Sequence, residues 1–149
     1  MSTSPVNLPP PSAPACHDLM VLAVESYYPN GAQQAQIFNI YLQKPKDMVW
    51  RPGQFAMLRL PAWKNAMWAR PLSICAGNAD TLTFFCQVVG RGTSELSSLA
   101  VGDKLCMWGP LGTSFDMDAE APTLLLAGGV GIAPFVGYGL AHPNPRNLR

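Results

Sequence analysis

Arg70-Pro71-Leu72-Ser73-Ile74 is the stretch on which the reading of this chain turns. It sets one permanent positive charge and one hydroxyl on a segment with strand character, and Pro71 fixes a backbone dihedral beside the arginine. A guanidinium meets a phosphate through two parallel N–H donors, a geometry that lysine does not offer. Ser73 has two roles open to it, a hydrogen bond to a ring nitrogen or one to a neighbouring backbone. Further on, Gly90-Arg91-Gly92-Thr93-Ser94 sets two glycines between an apolar run and a short helical segment. Glycine lets backbone approach an anion, and a helix start supplies unpaired N–H groups and the positive end of a dipole. Gly128-Gly129-Val130-Gly131-Ile132-Ala133-Pro134 repeats that logic after a second apolar run. Its Pro134 is tolerated in the first turn of a helix. A cation, free backbone N–H groups and a polar atom beside a ring are what a dinucleotide-type cofactor requires.

Upstream of Arg70, residues Gln54 to Leu60 alternate Phe55, Met57 and Arg59 against Ala56, Leu58 and Leu60, the period of a half-buried strand. Ala35 to Gln43 alternates Ile37, Asn39 and Tyr41 against Phe38, Ile40 and Leu42, and Leu19 to Tyr28 reads as a further strand. Leu72 to Cys75, Thr81 to Val89 and Lys104 to Trp108 complete the set. Turn signals separate them at Pro29-Asn30-Gly31, Lys44-Pro45-Lys46-Asp47, Pro52-Gly53, Gly77-Asn78-Ala79-Asp80 and Gly102-Asp103, and Gly109-Pro110-Leu111-Gly112 closes the last. Trp63, Met67 and Trp68 fall in a loop before Arg70, and Ser94 to Leu99 suits a short helix capped by Thr93 or Ser94. The prediction is a mostly β fold: a six-stranded antiparallel barrel with one short helix, rather than a βαβ sheet.

The pattern changes after Asp118. Residues 119–122 read as a linker, and Thr123-Leu124-Leu125-Leu126-Ala127 is uniformly apolar, as a strand buried on both faces is. Only 22 residues follow Ala127, whereas a doubly wound domain needs several units of roughly thirty residues each. Three parts are therefore expected: a disordered or extended proline-rich arm over 1–16, a barrel over 17–118, and over 119–149 the first strand and turn of an incomplete, truncated α/β nucleotide-binding domain.

Composition excludes several classes of function. Charged residues make up 13% of the chain and the net charge is +1, with no basic block, so nucleic acid and anionic membrane surfaces are not indicated. Cys16, Cys75, Cys86 and Cys106 form no C-x-x-C pair, which argues against a metal centre, and the last three read as small core residues. The first fifteen residues lack the basic and apolar regions of a secretory signal. Five glycines and two prolines interrupt the apolar run at 121–141, so it does not read as a membrane span. A cytoplasmic location is the expectation. His17 and His142 have no partner at catalytic or ligand spacing and read as solvated or loop histidines, so no catalytic residue is assigned.

In this order the three stretches resemble the ferredoxin–NADP reductase superfamily. Its R-x-[YF]-[ST] element matches Arg70 to Ser73, its G-x-G-T element Gly90 to Thr93, and its G-G-x-G-x-[AT]-P element Gly128 to Pro134. Leu72 stands where most members have an aromatic residue. RPLSI, VGRGTSELSSL, GPLG and GGVGIAP are most similar to the electron-transfer subunits of dihydroorotate dehydrogenase, in the pathway to pyrimidines. The resemblance implies that Arg70 with Pro71 binds FAD phosphates, that Leu72 and Ser73 lie by the flavin ring, and that Ile74 belongs to the same cofactor-binding stretch. It implies further that Cys86, Gln87 and Val88 line the cofactor, that Gly90, Gly92 and Thr93 hold the pyrophosphate, and that Gly129 and Gly131 face NAD(P)H. Those subunits carry a C-terminal cysteine cluster, and this sequence has no cysteine after Cys106.

Two functions are expected on this basis. One is a flavin-binding electron-transfer component of an NAD(P)H-linked oxidoreductase, passing electrons through FAD to a catalytic or redox partner subunit. The alternative is an FAD-binding module without NADH-dependent turnover, because the nicotinamide domain is incomplete.

Overall fold

Alternation along the chain becomes strands with one dry face. The computed structural model describes residues 6–28, 36–61 and 69–149. The turn expected at Pro29 to Gly31, the strand start at Ala35, and Trp63, Met67 and Trp68 lie outside the described residues. The strands are β1 (Ala15–Tyr27), β2 (Ile37–Gln43), β3 (Phe55–Arg59), β4 (Arg70–Ser73), β5 (Ala76–Gly77), β6 (Thr81–Gln87) and β7 (Lys104–Leu111), with helix α1 (Arg91–Ser97) between β6 and β7. Phe38, Ile40 and Leu42 of β2, Ala56 and Leu58 of β3, and Leu82, Phe84 and Cys86 of β6 are buried, while the alternate positions face outward.

The strands form one antiparallel sheet in the order β4-β3-β7-β1-β2-β6-β5. Strand β1 serves two neighbours. Its first half, Ala15 to Met20, pairs with β7 and its second half, from Val21, with β2, and an irregularity between Val21 and Ala23 follows the changeover. The edge strands β4 and β5 are consecutive in sequence, so the curled sheet meets itself at one stretch. There the Ile74 N–H donates to the Gln54 carbonyl beside β3 (3.0 Å), and the Cys75 N–H donates to the Thr83 carbonyl in β6 (2.9 Å). Adjacent residues bonding toward opposite ends of the strand order bring the curled sheet back on itself. The seam ends the expected strand 72–75 early, as β4 at Arg70–Ser73, and the short additional strand β5 at Ala76–Gly77 makes the described sheet seven-stranded rather than six.

Phe38, Phe84, Ile40, Leu42, Leu58, Ile74, Leu82, Leu105 and Met107 fill the interior, and Leu96 of α1 plugs it. Each such side chain contributes about 1.5–3 kcal/mol relative to exposure. Cys75 and Cys86 belong to this core, but Cys106 does not. It is half-exposed in the row Asp18–Cys106–Arg59, because it falls on the outward parity of β7.

The proline-rich arm is tied down over residues 6–14, starting with a tight turn in which the Leu8 N–H donates to the Val6 carbonyl (3.0 Å). Ser12 exchanges backbone and side-chain hydrogen bonds with Val49 (both 2.8 Å), and β1 begins at Ala15, ahead of the expected boundary.

Beyond the barrel, one expectation is overturned. Thr123–Ala127 is not a strand buried on both faces: Leu124 is 66% and Leu126 78% exposed. Its only bridge among the described residues is parallel, Thr123 to Leu148. A doubly buried strand needs neighbours on both edges and cover on both faces, and residues 147–149 supply one edge alone. Gly129–Ile132 then forms a 3₁₀ turn leading into α2 (Ala133–Ala141), with Pro134 in its first turn as the sequence allowed. Gly137 seats α2 on the barrel: a methyl there would come 2.8 Å from the Trp50 ring and 3.0 Å from the Cys75 carbonyl. Tyr138 donates to the Asp116 carbonyl (3.2 Å), and Phe115 stacks on Phe135 at 5.6 Å. His142 is 4% exposed rather than solvated. Its Nδ1 accepts from the Asn144 N–H, which leaves Nε2 to donate to the Asp118 carbonyl (both 3.2 Å).

Candidate functional site

Arg70 opens β4, paired with Leu58 of β3. Partners in an antiparallel ladder share a face, so Arg70 and Leu72 lie on the side of Leu58 and Ala56, and Pro71 and Ser73 on the side of Met57 and Phe55. β4 is an edge strand, where the missing N–H of Pro71 costs no ladder bond.

Across the seam, α1 begins where β6 has ended. The helix starts at Arg91 with Gly90 in extended conformation as its N-cap, three residues ahead of the Ser94 start read from the sequence. The reason is Thr93. Buried at the third helical position, its Oγ accepts from the Val89 N–H (2.9 Å) and the Gly90 N–H (3.3 Å) and donates to the Gly90 carbonyl (3.1 Å). Thr93 thus shapes the turn from within, as a positioning group. Arg91 pairs with Glu95 one turn on (2.7 Å), an exposed contact worth roughly 0.3–0.5 kcal/mol.

The two elements meet at Gly92. A methyl on Gly92 would come 2.5 Å from Nε of Arg70 and 3.1 Å from one of its terminal nitrogens. The guanidinium therefore rests on the first turn of α1, and only glycine leaves it room. Strand β4 supplies the charge and α1 the helix start, a juxtaposition suited to an anion.

The remaining expected residues divide. Gln87 is exposed and Val88 half-buried, with the Val88 N–H committed to the Gln36 carbonyl (2.8 Å). Ile74 is fully buried, and Cys86 is 1% exposed with its thiol pushed up to about 12 by burial. Neither side chain lines a surface, because each points into the core, so any approach of a cofactor at these two positions is left to the backbone. Gly129 and Gly131 lie on the turn before α2, both exposed, with open space at their Cα atoms and a positive φ of 56° at Gly129.

Sequence reasoning passed over Gln54. It is 3% exposed, accepts the Arg51 N–H on Oε1 (2.9 Å), donates from Nε2 to the Gly112 carbonyl (3.2 Å), and accepts Ile74 on its backbone. It ties the ends of β3, β4 and β7 together. The available signal was its parity: it continues the inward series Ala56, Leu58, Leu60 with a polar residue.

No family model matches the chain. Over 115 residues it is 35% identical to the electron transfer subunit of dihydroorotate dehydrogenase B (NAD(+)) from Clostridium acetobutylicum, covering 76% of this chain and 45% of that protein. Among solved structures, the NADH-dependent reduced ferredoxin-NADP oxidoreductase, described in connection with flavin-based electron bifurcation, is similar at 26% identity and a TM-score of 0.68. That match covers 84% of this chain and 45% of the other. The ferredoxin reductase of carbazole 1,9a-dioxygenase shares the fold at 21% identity and a TM-score of 0.71, over 87% of this chain and 40% of the other. The chain thus spans less than half the length of these relatives.

Proposed function

We propose that this chain, a barrel of the ferredoxin–NADP reductase superfamily similar in sequence to dihydroorotate dehydrogenase electron-transfer subunits, holds FAD as part of an electron-transfer component of an NAD(P)H-linked oxidoreductase. The observation that carries the reading is the guanidinium of Arg70 resting on Gly92 at the start of α1. The fit is chemical: a fixed cation and a helix start converge where a side chain at residue 92 would intrude, as a pyrophosphate cradle requires.

Arg70 would bind the phosphates, with Gly90 and Gly92 letting backbone approach and Thr93 holding the turn in shape. Leu72 would offer an apolar contact and Ser73 a hydroxyl to the flavin ring, and Gln87 and Val88 would flank it. Bound flavin supplies the hydride and electron chemistry, while the protein supplies position and electrostatics. A catalytic or redox partner subunit would take the electrons. Gly129 and Gly131, with open space at their Cα atoms, would face the nicotinamide cofactor. Among the described residues no helix is long and apolar enough to cross a membrane.

A second reading, an FAD module without NADH-dependent turnover by these 149 residues, is favoured by the single bridge and exposed leucines of 123–127. The visible absorption spectrum of the purified chain, incubated with FAD and freed of unbound FAD, before and after NADH under argon, separates the two. A flavin band that bleaches supports the reductase reading, and a band that persists supports the module. No band overturns both. Arg70→Ala is expected to weaken FAD binding by about 1.5–3 kcal/mol, the value of a charge-assisted bond. Unchanged affinity would remove Arg70 from the site.

A further inference from the structure

We propose that the proline-rich arm is a clasp that holds the α2 segment against the barrel. Residues 6–14 run past three stations. At the connector leaving the barrel, the Val6 N–H donates to the Met117 carbonyl (3.2 Å). In the middle, Leu8 and Pro9 form one wall of a groove of about 340 Å³, whose other walls include Trp50 of the barrel and Leu140 of α2. At the far end, Ser12 is locked to the barrel through the Asp47 carbonyl (3.2 Å) and both backbone groups of Val49 (2.8 Å each). The arm therefore touches the barrel, the connector and the α2 groove within a few residues.

Its chemistry suits that task. Pro9, Pro10 and Pro11 have no N–H, so this stretch of backbone offers only acceptors and holds an extended shape at low entropic cost. Arg51 is the matching donor. Its Nε donates to the Pro9 carbonyl (2.7 Å) and a terminal nitrogen to the Leu8 carbonyl. α2 itself meets the barrel where Gly137 approaches the Trp50 ring and the Cys75 carbonyl, and the groove lies open between the helix and the arm. Packing that leaves such a gap is where a segment opens locally. Anchored to Met117 at one end and to Arg51 and Val49 at the other, the arm ties the connector that leads toward α2 to the barrel. The inference rests on these contacts alone and not on the proposed cofactor.

Hydrogen exchange on the full chain and on Arg51→Met tests it, with a chain lacking residues 1–13 as the second variant. The expected result is exchange in 133–142 accelerated by about tenfold or more in both variants, with β2 and β6 unchanged. Unaltered exchange in α2 after arm deletion would overturn the proposal. So would equal acceleration across α2, β2 and β6, since the arm would then support the whole fold instead of clasping one segment.

Discussion

A methyl group at Gly92 would lie 2.5 Å from Nε of Arg70 and 3.2 Å from its Cζ. The atoms in its way are the end of a flexible side chain, so relief comes from moving the guanidinium rather than the backbone. Gly92→Ala is therefore expected to leave the melting temperature within a few degrees of the parent and yet to weaken FAD binding about as much as Arg70→Ala. Calorimetry of both variants checks this, and full affinity in Gly92→Ala would detach the pair from the site. The cysteines make a second residue-scale test. Cys16 is exposed and Cys106 half-exposed, whereas Cys75 and Cys86 are buried and burial pushes both thiols up. An aromatic disulfide reagent should modify Cys16 first, then Cys106, and reach Cys75 and Cys86 only in denaturant. Native-state modification of Cys86 would contradict the inward parity of β6.

Elements differ in how far local pattern decided them. β2, β3 and β6 follow their alternation because one side of each faces a core that packs only apolar groups. α1 departs from its expected start because the Thr93 hydroxyl satisfies two backbone donors ahead of it, which moves the cap to Gly90. Residues 123–127 depart further: five apolar residues look alike whether a sheet flanks them or not. Leu126→Ser should accordingly change stability by no more than about 0.5 kcal/mol, the range of ordinary surface substitutions. Leu42→Ala, at a site with no exposure, should cost about 2–5 kcal/mol. Urea unfolding of the two variants provides the comparison, and a large loss for Leu126→Ser would restore the buried-strand reading.

At the scale of the molecule, the fold favours the protonated form of several acidic groups, Cys86 and Tyr41 most strongly. Burial raises the Cys86 thiol from 9.0 to about 12. The hydrogen bond that Tyr41 donates to Glu25 (2.7 Å), with some burial, raises that phenol from 10.0 to about 12. In both, the folded value exceeds the unfolded one, so their contribution is fully present below pH 9 and is lost as pH rises from 9 toward 12. Unfolding free energy measured at pH 8 and pH 10.5 should fall, and Cys86→Ala should flatten the slope. A flat parent profile would refute the assignment. The strands, the glycine turns and the residues Arg70, Gly92 and Thr93 were legible in the sequence, because each follows from period, turn chemistry or a local cation-and-glycine pattern. Three things were decided only by the tertiary structure: the seam at Ile74 and Cys75, the seat of Arg70 on Gly92, and the exposure of Leu124 and Leu126. Each depends on which distant segment arrives alongside, and neither a residue's own chemistry nor that of its neighbours in sequence contains that information.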